Sequence, residues 1–381
     1  MKKRTIWLSV MLMVCGSCGR VASPPDALVR VMVEPDRITD TLGLSELFSH
    51  YEYIPLETVP EAMIGDVTGL LQYKGGYLVR DRKSRRILFF DGNGRYLRQI
   101  GRSGKGAGEY VNMNDMVIDP SDSSILLLCT VPKKLIWYAS DGAFQREVPL
   151  DVYAESLEII GDRIFLYANS HSGNQDGFQI YAVDRQGQRK SEWLPYGSVK
   201  SYPISMTVNH SRPFSKFNDS EMLFSMPLED KIFSISGDTL REYLMLDFGG
   251  HSLSAEFIEK TVGEGSDLAF TLMGTDYARD LHYVFDNGKY IFFNVSFGPR
   301  LHRLALHKTD TALRAWNDDL TGQYPSIYEW TEDELLGAKT AMEFLKDYES
   351  RQTRGLQSSA EDSTAALLTE DSNPVIIHYM K

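Results

Sequence analysis

Apolar and polar positions along this chain alternate in short bursts rather than long stripes. "ILFFDGNGRYLRQI" (87–100) sets the pattern: an apolar run, a polar turn, then a second alternating segment. It returns in "LIWYASDGAFQREV" (135–148), in "IYAVDRQGQRKSEW" (180–193) and, more weakly, in "IFSISGDTLREYLM" (232–245). The matching turn residues Gly94, Gly142, Gly187 and Thr239 lie 48, 45 and 52 residues apart. Further strand-like runs stand between these segments: "GGYLVRD", "SSILLLCTV", "DRIFLYAN", "SEMLFSM" and "GKYIFFNV". Several short strands recurring every 40 to 50 residues or so are the mark of a β-propeller.

A four-stranded antiparallel blade buries both faces against its neighbours, so its strands read as apolar runs relieved by polar turns. Asp-Gly and Gly-Asn-Gly supply the positive φ that tight hairpins need. One blade cannot hide its own faces, whereas a closed ring of them can. Five units run from Ile64 to Leu306. The sixth is expected from the two ends, with "YEYIPLE" (51–57) pairing "NPVIIHYMK" (373–381). The expected fold is therefore all-β: a six-bladed propeller of four-stranded antiparallel blades, closed by N- and C-terminal strands, with one helical insertion. It forms a single domain over residues 31–381. The insertion is placed at about 331–350, where Thr331 and Glu334 have capping-box spacing. Leu335, Ala338, Met342, Leu345 and Tyr348 follow at helical intervals. Residues 351–372, small and polar, read as a flexible loop.

The N-terminus has a different pattern. Lys2-Lys3-Arg4 precedes an apolar run from Ile6 to Val14. As a helix that run rises only about 14 Å, far short of a bilayer core of ~30 Å. It reads as an export signal over residues 1–17. Gly16-Ser17-Cys18 resembles a bacterial lipobox, with Cys15 where leucine is usual, which makes Cys18 the expected lipidation site and 18–30 a tether. Cleavage near Ala22 as an ordinary secretory peptide is the alternative. A chain starting at Cys18 keeps only Cys18 and Cys129, so no disulfide braces the domain, and Cys129 lies in a strand-like run as a buried small hydrophobe.

Composition narrows the partners. With 52 acidic against 40 basic residues and a formal charge of −12, the chain shows no clustered positive surface of the kind nucleic acid requires outside the short Arg80–Arg86 and Arg95–Lys105 region. With 43% hydrophobic residues it can bury a sizeable core.

The stretch "GRSGKGAGEY" (101–110) invites a phosphate-cradle reading and fails it. A P-loop would need glycine at Gln99 and a hydroxyl at Gly106, and no helix pattern follows. What survives is a glycine-rich crossing from one blade to the next. With the segment before it, "FFDGNGRYLRQIGRSGKGAGEY" resembles the NHL-like propeller pattern. Together with "YEYIPLET" and "NPVIIHYMK" it is similar to the six-bladed β-propeller lipoproteins of Bacteroidetes, over essentially the whole mature chain. It departs from them at Ala107, where proline is frequent, and at Ala139 and Ser236, where blade turns prefer aspartate. The resemblance implies fold and location, a cell-envelope setting often tied to nutrient capture, and no general activity. Acidic residues after the lipidated cysteine resemble a surface-export signal in that lineage. "CGRVASPP" has none, so an outer-membrane anchor facing the periplasm is expected, with surface display the alternative.

Active-site motifs are absent. The eight histidines form no HExxH or H-x₃-H pattern, and there is no Gly-x-Ser-x-Gly elbow. No cofactor is expected. Single ligands from several blades could still converge on calcium or zinc, and some NHL-related propellers are lyases or lactonases with a channel metal. A metal-assisted lyase or hydrolase is therefore the alternative to a non-catalytic binding or scaffold protein. Recognition candidates are Arg80 and Asp81 beside the ring's opening, then Arg102, Lys105, Glu109 and Tyr110 in the glycine crossing. Trp316, Tyr324, Tyr328 and Trp330 join them in a segment read as a turn-rich insertion. The expected partners are the membrane, through the lipid, and a protein, peptide or glycan at one rim of the channel. A third idea is an extracytoplasmic sensor.

Overall fold

The computed structural model describes residues 29–381 apart from 172, 197–211, 219, 265–267, 299 and 323. Cys18 and the export segment lie outside the described residues. Among those described, six antiparallel four-stranded sheets make a ring of blades. Their innermost strands are Val67–Tyr73, Asp115–Ile118, Ser156–Ile160, Phe214–Asn218, Ala278–Asp286 and Ser326–Trp330, which begin blades 1 to 6.

The repeats quoted above are the third and fourth strands of blades 1 to 4, and one device spaces them. Gly94, Gly142 and Gly187 have φ of +80°, +87° and +77° and each donates its N–H to the carbonyl three residues back. Each turn then lies against the outer strand of the preceding blade. A Cβ on Gly94 would stand 2.3 Å from the Pro55 carbonyl, and one on Gly187 2.7 Å from that of Pro149. Glycine is required there by both backbone angle and space. Asp91 and Asp184 brace their turns by accepting two backbone N–H groups each, and at Ala139 that role passes partly to Asp141, which accepts from Ala143. In blade 4 the left-handed residue is Gly237, not Thr239, because the hairpin is tighter: Ser236 pairs directly with Thr239.

Six hydrophobic clusters fill the six clefts between neighbouring blades. That accounts for strands such as Ile125–Thr130, apolar on both faces and buried throughout except at the last residue. Cys129 is buried in the cluster between blades 1 and 2, where loss of solvent pushes its thiol up to about 12.

The ends close the ring as expected: Val375–Met380 pairs antiparallel with His50–Pro55, from Val375↔Pro55 to Met380↔His50. Asn373, fully buried, locks the seam. It accepts from Ile64 N and donates to the carbonyls of Glu57 and Ala62. The chain before the seam adds two outer strands in parallel, Val29–Met32 on blade 4 and Thr41–Gly43 on blade 5. Val29 and Arg30, assigned by sequence to the tether, thus belong to the ring.

Three expectations about the last third are corrected. Residues 334–339 are a strand of blade 6 and not the start of a helix. Leu335 to Ala338 are apolar because both faces of that strand are covered, and the operative capping box is Thr340/Glu343. The segment 314–330 is no insertion. It spans the outer strand of blade 5, Leu313–Asn317, and the innermost strand of blade 6. The expected loop 351–372 contains the end of one helix and all of another. In chain order the helices are α1 (Ala255–Gly263), α2 (Leu268–Met273), α3 (Ala341–Thr353) and α4 (Ser359–Ala365). α4 is fastened by an ion pair of Arg351 with the fully buried Glu361 at 2.8 Å. α1 and α2 lie between blades 4 and 5 and had no sequence counterpart. Among the described residues no helix is long and apolar enough to cross a membrane.

Candidate functional site

All six innermost strands border one cavity of about 430 Å³ at the axis of the ring. The strand that opens each blade delivers from one to several residues to this space. Blade 1 contributes Leu71 and Gln72, blade 2 Val117 and Ile118, and blade 3 Glu158. Blade 4 contributes Phe214 and Lys216 with Arg212 just before its strand, blade 5 Phe285 and Asp286, and blade 6 Tyr328, Glu329 and Trp330.

Charge is concentrated here. Lys216 Nζ lies 3.0 Å from Glu158 Oε1, and Arg212 Nη2 lies 3.7 Å from Glu158 Oε2. Glu158 is almost sealed from solvent and also accepts the Ile159 N–H. Arg212 forms no hydrogen bond with any described residue, although a guanidinium carries five donors. Burial works against its charge, but Asp115, Glu158 and Glu329 together outweigh that and hold its pKa above the ordinary value. Glu329 faces the same space, and among the described residues its carboxylate takes one hydrogen bond, from Gln72 N at 3.2 Å. Burial raises its pKa, and only the Gln72 bond and the charge of Arg212 oppose that. Asp286 is satisfied by Lys308 at 2.7 Å, and Asp115 by Ser156 Oγ, by Leu157 N and, more distantly, by Arg80.

The residues singled out by sequence divide between this cavity and the frame around it. Tyr328 and Trp330 border the cavity, yet both are largely buried, and Tyr328 Oη donates to the Val67 carbonyl across the seam between blades 6 and 1. Trp330 stacks on Phe292 at 4.1 Å and meets Trp316 edge-on at 5.6 Å, so these indoles are core. Tyr324 is half exposed with the Arg303 guanidinium 4.1 Å from its ring centre. Arg80 donates to the Thr68 carbonyl and reaches Asp115 on the next blade at 3.9 Å. Asp81, fully buried, accepts from Gly65, Asp66, Lys83 and Ser84 and is a turn anchor. In the glycine crossing Arg102 pairs with Glu109 at 2.6 Å, and Glu109 also accepts Gly106 N. Tyr110 is buried, and Lys105 is exposed at the rim. The charges of the crossing serve mainly to shape it.

Sequence reasoning missed Glu158, Arg212, Lys216 and Glu329. The signal was a charged residue inside the first, apolar strand of a repeat, as in "SLEII", "FSKFN" and "SIYEW". Among the described residues no three His, Cys, Asp or Glu side chains come together as a metal site.

A model of the family described as Domain of unknown function (DUF4934) matches residues 31–380. The chain belongs to that family. Two solved structures share the fold of this chain, and a third is a remoter likeness. A Bacteroides fragilis protein described as exported superimposes with a TM-score of 0.74 at 13% identity, covering 93% of this chain and 100% of that one. A DUF4221-family member from Bacteroides vulgatus gives 0.50 at 13%, over 88% and 97%. Virginiamycin B lyase from Staphylococcus aureus is more distant, at 0.43 and 9% over 87% and 99%. No curated protein matches the chain in sequence.

Proposed function

We propose that this DUF4934 chain is a cell-envelope binding protein that takes the end of a peptide or glycan, or a molecule of that size, into its axial cavity. The observation that carries the reading is the convergence of all six innermost strands on one space of about 430 Å³ whose wall holds charges with hydrogen-bonding capacity that no described residue uses. A closed ring with six buried clefts has no structural need for such groups at its axis. Ligand pockets of roughly 300 to 1,000 Å³, mostly apolar with a few convergent polar groups, have this make-up. Export agrees with the Bacteroides fragilis likeness, and a lipid on Cys18 would keep the ring at the membrane.

The test is equilibrium dialysis of the protein against mixtures of short peptides and of oligosaccharides, with mass-spectrometric identification of what is retained. Gln72→Trp fills the cavity from a position that is exposed and free of core packing. Retention by the wild type and its loss in Gln72→Trp at unchanged melting temperature is the expected result. Equal retention by both, or none by either, overturns the reading.

A further inference from the structure

We infer that the ligand is a small zwitterion of the amino-acid or short-peptide class, its carboxylate on Arg212 and Lys216 and its ammonium on Glu329. This rests on the axial cavity being the binding site. The lining carries two cations, Arg212 and Lys216, among four carboxylates, Glu158, Asp286, Glu329 and Glu332. Lys308 answers Asp286 and Lys381 answers Glu332, which leaves two cations facing two carboxylates. A net ion would upset that balance, whereas a neutral molecule with separated charges preserves it.

Arg80 and Asp115 are committed to the frame by short bonds to Thr68 O, Ser156 Oγ and Leu157 N. Glu158 is shared by the two remaining cations. That leaves Arg212 without a hydrogen bond to any described residue, Lys216 with one carboxylate contact, and Glu329 with one backbone N–H. Arg212 and Glu329 sense one another's charge yet form no ion pair across the cavity. Opposite charges that border a common space without meeting offer both poles to something that can bridge them. A guanidinium offers two parallel N–H groups that match a carboxylate, and a carboxylate accepts readily from an ammonium. At a share of about 30 Å³ per water, the space would hold roughly fourteen water molecules, which is the scale of a dipeptide. The apolar wall, Leu71, Val117, Phe214 and Phe285, suits side chains between two recognised ends.

Calorimetric titration with one dipeptide, alanyl-leucine, in four forms tests the inference: both ends free, N-acetylated, C-amidated, and both blocked. The free form should bind most tightly, and blocking either end should weaken binding about tenfold or more. Arg212→Gln should remove the preference for a free carboxylate and leave the preference for a free amine. Glu329→Gln should do the reverse. If Arg212→Gln fails to fold, Lys216→Gln reads the same end. Equal binding of free and blocked forms overturns the zwitterion inference and leaves the cavity reading standing. So does binding of a neutral disaccharide, lost in Gln72→Trp, by a protein that ignores all four peptides. Tight binding of the free dipeptide that persists in Gln72→Trp overturns the cavity reading along with it.

Discussion

The glycine crossing at residues 101–110 and the axial cavity use the same residue types to opposite ends. Both bring arginine, lysine, glutamate and tyrosine together. In the crossing Arg102 is paired with Glu109, Glu109 also holds a backbone N–H, and Tyr110 is buried. At the axis Arg212 and Glu329 confront the same space with most of their hydrogen-bonding capacity unspent among the described residues. The difference shows that residue type does not mark a binding site in a propeller. What marks it is charge left over after the frame is satisfied and facing a space that a ligand can enter.

The comparison predicts large stability losses in the frame and the opposite sign at the axis. The largest effect is expected for Asp81→Ala, which strands the N–H groups of Gly65, Asp66, Lys83 and Ser84 in the frame of blade 1. Denaturant unfolding should show a loss of about 3 kcal/mol. A loss below about 1 kcal/mol would place Asp81 with the unspent groups.

Glu329→Gln should move stability the other way. A carboxyl whose folded pKa is raised binds its proton more tightly in the folded state. Its contribution is therefore fully present below the unfolded value of 4.5 and is lost as pH rises through the raised folded value. The wild type should weaken relative to the variant over that interval. Above it Glu329→Gln should be the more stable, by on the order of 1 kcal/mol, with the two curves converging in acid. Parallel curves would show Glu329 to be as well satisfied as Glu109.

The smallest effect is expected for Arg102→Ala. Its ion pair has an exposed arginine, worth about 0.5 kcal/mol or less and screened by salt. A salt-insensitive loss above about 1 kcal/mol would mean the crossing is held by its ion pair and not by its glycines and the packing beneath them. That packing is tight: a Cβ on Gly108 would stand 2.5 Å from the Phe144 ring.

Most of the ring was legible in the sequence because turn chemistry is local. Asp91, Gly94, Asp184 and Gly187 adopt the same turn wherever they occur, and apolar alternation announces the strands on either side. The closing pair could be read from two terminal strands without partners. The last third was misread where both faces of a strand are covered. "ELLGAK" is apolar throughout, so its period no longer separates strand from helix. Trp316 and Trp330, recognition candidates by sequence, turn out to be core for a related reason, since polar neighbours in sequence say nothing about the blade that packs against an indole.

The chain alone determined the repeat, the hairpin turns and the two strands that seal the ring, because each depends on residues within a few positions of one another. The tertiary structure decided which charges are consumed and which remain. Asp115 meets Arg80 from another blade, whereas Arg212 and Glu329, 117 residues apart, border one cavity without pairing. Whether a charge finds its partner depends on distances set across the whole ring, and no local rule of sequence encodes them.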